Sequence, residues 1–212
     1  MTKSERIAKQ ICRYLASWKQ DQDKLVIGID GYAGSGKTTI ANLIGQKDSD
    51  VLVVHLDDFI KHWKVRKRLI ENATDKSSVF EYDWYRYPDL ERVITAFQKN
   101  KPLIKVKTYD YEQNKYGPDK EFITSKRVLL IDGIFLFHPH QRISSLIDKK
   151  IYLDIDFAKA DKRRIAREKK KWGQVYLPDT HPDNWVRYFK QAYKRYIKEN
   201  KIRDLVDVTI KL

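Results

Sequence analysis

Residues Lys24 to Gly45, KLVIGIDGYAGSGKTTIANLIG, set the strongest limit on what this chain can fold into. Leu25, Val26, Ile27 and Ile29 form a short apolar run of the kind buried on both faces of a parallel sheet. Ile40, Ala41, Leu43 and Ile44 then recur at helical spacing. Between the two, Gly31, Gly36, Lys37 and Thr38 satisfy G-x-x-x-x-G-K-[ST]. A strand that turns through glycines into a helix offers bare N–H groups and the positive helix end to an anion. The loop therefore predicts a polyphosphate seated on Gly34, Ser35, Gly36 and Thr39, with Lys37 reaching the β- and γ-phosphates. The Thr38 hydroxyl is placed to ligate Mg²⁺, so ATP and Mg²⁺ are the expected cofactors.

The rest of the chain alternates in a way that suits such a loop. After it come apolar strands at Val51–Leu56, Leu103–Thr108, Arg127–Ile131, Ile151–Ile155 and Val206–Ile210. Helical spacing marks residues 4–19, Pro88–Phe97, Ala158–Lys171 and Asn184–Glu199, where Trp185, Tyr188, Phe189, Ala192, Tyr196 and Ile197 make a core stripe. Residues 58–85 show no clean period, and Tyr109–Lys120, with Gly117-Pro118, reads as a loop or hairpin turn. The expectation is an α/β fold with a mostly parallel central sheet flanked by helices, one domain over residues 1–212, with an amphipathic helix in residues 1–20.

Composition excludes several classes. Cys12 is the single cysteine, so there is no disulfide framework and no cysteine-based metal site. No apolar run approaches the roughly 20 residues that span a bilayer, and the first residues are charged and amphipathic, unlike a signal peptide. A cytoplasmic protein with no membrane partner is expected. Lys and Arg total 43 against 29 Asp and Glu, a net charge of +14 that suits a polyanion, either nucleic acid or a nucleoside triphosphate.

Ligands of open parallel sheets sit beyond the carboxyl ends of the strands. Here those ends carry Asp57-Asp58, Tyr109-Asp110 and Asp132-Gly133. Together these carboxylates resemble a site that holds Mg²⁺ and activates a hydroxyl, with Asp132 of VLLIDG as the metal-side acid. The basic helix AKADKRRIAREKKK sets Arg163, Arg164 and Arg167 at i,i+3 and i,i+4 spacing, where they share a face and can close over a triphosphate.

The order of these features resembles the uridine kinase and phosphoribulokinase-like group of P-loop kinases, including its nicotinamide riboside kinase-like members, and covers the chain from GYAGSGKTT almost to its end. The resemblance implies a P-loop NTPase fold with a helical lid at about residues 158–180. It also implies transfer of the γ-phosphate to a hydroxyl. LDDF at 56–59 is similar to the segment whose first Asp takes the proton of the acceptor hydroxyl, which implies that role for Asp57. EYDWYRYPD at 81–89 resembles the acceptor segment and implies Asp83 on ribose hydroxyls, with Tyr82, Trp84 and Tyr85 as either a stacking surface or packing. KTYDY at 107–111 resembles the segment whose tyrosine flanks a nucleobase, which implies Tyr109. DIDFAKADKRRIARE is similar to the lid, whose arginines grip ATP. The chain departs from uridine kinases in having Asp132 where Glu is usual, and EQNKY where a His and an Arg read the pyrimidine.

The expected activity is therefore an ATP-dependent, uridine kinase-like phosphotransferase acting on a small hydroxyl compound, a nucleoside or ribosyl-type substrate. A nucleic-acid-binding NTPase or polynucleotide kinase is the alternative suggested by the charge, although no nucleic-acid-binding module is visible. A kinase of a pantothenate-like alcohol or sugar, and a regulatory nucleotide-binding protein without transfer activity, are the others. Neither the acceptor nor the oligomeric state follows from the sequence.

Overall fold

The structure, a computed structural model, describes residues 1–20, 22–110 and 113–212. Its elements run α1 (Lys3–Trp18), β1 (Leu25–Gly31), α2 (Lys37–Lys47), β2 (Val51–His55), α3 (Trp63–Asn72), α4 (Tyr87–Gln98), β3 (Ile104–Asp110) and β4 (Lys115–Phe122). The second half holds β5 (Val128–Gly133), α5 (Arg142–Ser145), β6 (Lys149–Asp154), α6 (Phe157–Trp172), α7 (Val186–Glu199) and β7 (Val208–Lys211). Five strands form one parallel sheet in the order β2-β5-β1-β6-β7. This is the expected α/β architecture, and β1 is buried along its whole length because both sheet faces are covered.

Alternation along the strands divides the core. Ile27, Ile29, Leu130 and Leu153 meet Ile7, Ile11 and Leu15 of α1 and Ile40 and Ile44 of α2 on one face. Val26, Leu129, Ile131 and Tyr152 join Leu90, Ile94 and Phe97 of α4 and Tyr193 and Tyr196 of α7 on the other. The amino-terminal helix earns its place by packing, and Thr2 and Glu5 close its first turn as a reciprocal capping box. No helix among the described residues is long and apolar enough to cross a membrane.

Two local expectations change. The strand expected at Leu103–Thr108 is not in the parallel sheet: β3 pairs only with β4, antiparallel, in a separate ribbon. Its sequence IKVKTYD suits a ribbon with one face in solvent, since the exposed Lys105 and Lys107 alternate with Ile104 and the buried Val106. Asp110 therefore leaves the set of carboxylates at the parallel strand ends. Residues 58–85, which show no period, contain α3, because that helix buries only Arg66 and Ile70 and so carries almost no apolar stripe.

Leu15 is fully buried beneath α2 and the sheet. Leu15→Ala is expected to cost about 2–5 kcal/mol in urea unfolding. Lys9→Ala, at an exposed position of the same helix, should stay within about 0.5 kcal/mol of the parent.

Candidate active site

Parallel register brings the chemistry together. Ile29 and His55 both lie opposite Asp132, and Asp30 lies opposite Gly133, so the ends of β1, β2 and β5 finish at one level. The loop after β1 crosses this edge. Gly34 (φ 86°) and Gly36 (φ 92°) take left-handed conformations there, which side chains rarely tolerate. A Cβ on Gly34 would lie 2.5 Å from the carbonyl of Ala160, so the loop passes directly under α6. A Cβ on Gly36 would meet nothing within 4 Å, which leaves the cradle at the start of α2 open.

A pocket of ≈ 120 Å³ opens here, lined by Gly34, Gly36, Lys37, Thr38, Thr39, Asp57, Asp132 and Arg167 among others. Lys37 Nζ donates to the carbonyls of Gly31 at 2.6 Å and Tyr32 at 3.1 Å. Burial lowers the Lys37 pKa, and the carboxylates of Asp30, Asp132 and Asp57 oppose that shift. The Thr38 hydroxyl donates to Asp132 Oδ2 at 2.8 Å, while the other oxygen of Asp132 pairs with His55 Nδ1. That bond to Asp132 pushes the His55 imidazole up. Asp57 follows β2 in a 3-10 turn (Leu56–Phe59), exposed on its pocket side. Desolvation by the surrounding protein raises its carboxyl and the charge of Asp132 adds to this. Tyr85 Oη donates to Asp57 Oδ1 at 3.3 Å and is buried behind it.

The donor set suits a nucleotide and its metal. Ser35 Oγ is buried within the loop with no partner among the described residues, an orphan donor of the kind a phosphate oxygen satisfies. A hydroxyl and a carboxylate side by side match the one or two protein oxygens that Mg²⁺ takes when phosphates and water complete its shell. No group of three or more His, Cys, Asp or Glu among the described residues makes a closed metal cage, which such a cation does not need.

Other expected residues lie elsewhere. Arg163 is exposed and does not line the pocket. Arg164 is buried in a carboxylate cage: it reaches Asp161 at 3.3 Å and Glu168 at 2.8 Å, and it pairs with Asp179. The acceptor candidates do not line the pocket either. Asp83 is exposed, 3.7 Å from Lys61 Nζ. The Tyr82 hydroxyl lies 3.1 Å from His138 Nε2. Tyr109 is buried edge-on to His62 and Tyr116, with its hydroxyl bonded to Asn114 and the Arg66 guanidinium 5.8 Å from its ring. Tyr111 and Glu112 of the segment 107–116 fall outside the described residues. A wider groove of ≈ 660 Å³ along the outer side of α4 contains none of these groups.

Sequence reasoning missed His55 and Asp30, and read Tyr85 only as stacking surface or packing, not as a partner of Asp57. His55 closes an apolar strand and Tyr85 sits among other aromatics, so neither carries a motif of its own; only the register and the antiparallel bridge between Ile60 and Tyr85 put them beside the carboxylates.

The cage around Arg164 yields a direct prediction. Arg164→Ala leaves Asp161, Glu168 and Asp179 facing one another, and the thermal midpoint should fall by the equivalent of about 3 kcal/mol. Arg167→Ala, at an exposed pocket position, should leave the midpoint within about 2 °C and lower turnover instead.

Comparison with known proteins agrees with this geometry. The family model described as Phosphoribulokinase / Uridine kinase family matches residues 26–211. The chain is 27% identical over 177 residues to the uridine kinase of Borrelia duttonii, covering 83% of this chain and 82% of that one. It is 28% identical over 185 residues to the uridine kinase of Oceanobacillus iheyensis, covering 85% and 83%. In fold it is similar to a possible uridine kinase from Bacillus stearothermophilus, with a TM-score of 0.71, 20% identity and 96% of each chain covered. The family match favours a small-molecule kinase over the polynucleotide alternative. The chain therefore belongs to the phosphoribulokinase/uridine kinase family and is a kinase whose acceptor group is a hydroxyl.

Proposed function

We propose that the chain uses ATP to phosphorylate a hydroxyl of a nucleoside or related ribosyl compound, in the manner its uridine kinase relatives are named for. One observation supports the residue assignment: Lys37 and Thr38, Asp57, Asp132 and Arg167 converge on a single pocket from four separate places in the sequence.

In this reading the triphosphate lies over Gly34, Ser35, Gly36 and Thr39, with the orphan Ser35 hydroxyl and the loop N–H groups as donors. Lys37 turns part of its donor capacity from the loop carbonyls to the phosphates. Thr38 and Asp132 would hold Mg²⁺, which would neutralise charge on the phosphate oxygens. Asp57 accepts the proton of the acceptor hydroxyl. The freed oxygen attacks the γ-phosphorus in line, the bond to the β-phosphate oxygen breaks, and ADP leaves. Arg167 closes over the transferring group from α6, which acts as the lid, with Arg163 at its outer edge and Arg164 keeping the helix attached to the body.

Tyr85 joins this chemistry to the acceptor. It holds Asp57 and belongs to the segment that carries Tyr82 and Asp83, so base and acceptor-binding surface share one piece of backbone. Tyr109 forms the neighbouring aromatic wall, with Trp84 4.7 Å from the Arg66 guanidinium. Positioning of two substrates in one pocket supplies most of the rate, and proton transfer to Asp57 adds to it.

The test is a screen of nucleosides, ribosyl compounds and small alcohols for acceptor-dependent ADP release with Mg²⁺ present. A nucleoside or ribosyl acceptor should stimulate release, and stimulation by an unrelated alcohol or sugar alone would sink the assignment. Asp57→Asn should lower kcat by about 10²–10⁴-fold with ATP affinity retained. The raised carboxyl of Asp57 also sets the pH profile. The base works only when ionised, so kcat/KM should fall as pH drops through a pKa above the ordinary carboxylate range. That acid limb should be missing from the residual activity of Asp57→Asn.

A further inference from the structure

Asp30 has no part in the chemistry above, yet it is fully buried where β1 gives way to the phosphate loop. Its two oxygens take three donors from three parts of the chain. Oδ1 accepts from the Gly31 N–H at 2.5 Å, and Oδ2 accepts from the Leu136 N–H at 2.9 Å and the Tyr196 hydroxyl at 2.6 Å. The oxygen of Tyr196, itself fully buried, accepts in turn from the Phe137 N–H at 3.0 Å. A side chain from β1 and one from α7 thus grip two successive amides of the turn that follows β5.

That turn needs gripping. Phe135 has φ 65°, the left-handed region, which costs a bulky aromatic about 1–3 kcal/mol and persists only where its surroundings over-determine it. Phe135 packs against Tyr193 and Tyr196, with ring centroids 5.8 and 5.2 Å away, and the amides on its far side are the ones bonded to Asp30 and Tyr196. The near side of the same turn is Asp132, Gly133 and Ile134, all three lining the nucleotide pocket. An apolar residue at position 30 would fill the core without the cost of burying a carboxylate, but it would leave the Gly31 and Leu136 amides unpaired.

We infer that Asp30, acting with Tyr196, is a positioning residue that holds the Asp132 turn in register with the phosphate loop, so that the Asp132 carboxylate and the Thr38 hydroxyl stay paired. The inference rests on the proposed assignment of that pair to the metal side of the nucleotide. Partners one step removed from a metal site, when changed, typically cost 10–100-fold in metal affinity or activity.

The full chain is titrated calorimetrically with ATP, no acceptor present, with and without Mg²⁺, as wild type, Asp30→Asn, Tyr196→Phe and the double variant. Affinity for ATP alone should stay within about twofold in all four. The gain in affinity that Mg²⁺ brings to the wild type should shrink about tenfold in Asp30→Asn and about threefold in Tyr196→Phe. The double variant should lose no more than Asp30→Asn, because the two side chains hold the same turn. In acceptor-dependent turnover, kcat should fall with the acceptor KM within twofold. Folded variants that keep the wild-type gain from Mg²⁺ overturn the inference alone. A wild type whose ATP affinity ignores Mg²⁺ removes the metal-side assignment, and the inference falls with it. Should Asp30→Asn fail to fold, Tyr196→Phe, which retains the ring and deletes only the hydroxyl, decides the matter by the same two readings.

Discussion

A buried ammonium is the constraint around which this site is arranged. Lys37 has to lie inside the molecule, because the loop that precedes it wraps back over the start of α2. An unpartnered cation in that position would cost several kcal/mol. Two loop carbonyls meet its donors, and the charges of Asp30, Asp132 and Asp57 surround it from the ends of three adjacent strands. The dependence runs in both directions. Asp57 and Asp132 repel one another, which is part of why Asp57 resists ionisation, and Lys37 is the charge that allows them to share a pocket. The carboxylates and the lysine therefore form one electrostatic unit.

A second unit connects the loop to the helices above it. Tyr32, the residue after Gly31, has its ring 4.9 Å from Phe157 at the start of α6 and 5.4 and 4.9 Å from Phe189 and Tyr193 of α7. Its hydroxyl donates to Asp161 of α6 at 3.2 Å. The aromatic stripe of α7 thus does more than fill the core. It backs the phosphate loop through Tyr32 and the turn after β5 through Tyr196, so displacing α6 or α7 would be felt at both sides of the pocket.

The legibility of this molecule in its sequence follows burial. The phosphate loop and β5 are readable because an apolar strand ending on Gly or Asp leaves few alternatives, and α1 and α7 because their apolar residues keep helical spacing. β3 misleads because apolar alternation marks a strand without saying which sheet it joins; the lysines at 105 and 107 are the clue that it stays outside the parallel sheet. α3 is invisible because Arg66 occupies a buried position and stacks on Trp84, so its inner face does not look apolar. Residues such as His55, Tyr85 and Asp30 acquire their partners only through register and turn geometry, which no single segment encodes. The acceptor segment is the hardest part, since its aromatic and charged residues can pack on one another as well as on a ligand. Tyr82 against His138 is an instance.

The charge of the chain, +14 in total, is best understood by following one helix. Arg163, Arg164 and Arg167 of α6 are near-equivalent in sequence, yet they meet three environments. Arg164 points into the body, where Asp161, Glu168 and Asp179 absorb its charge and Lys190 adds a second cation, 2.7 Å from Asp161 Oδ2 and 3.0 Å from the Asp179 oxygen that Arg164 also holds. Arg167 sits on the pocket, close enough for its charge to oppose that of Lys37. Arg163 stays in solvent. Net charge counts the three alike, whereas the fold sends one into a carboxylate cage, one to the pocket and one to solvent. Arg167 thus adds a positive charge to the pocket that already holds Lys37, and two like charges in one pocket favour an anion between them.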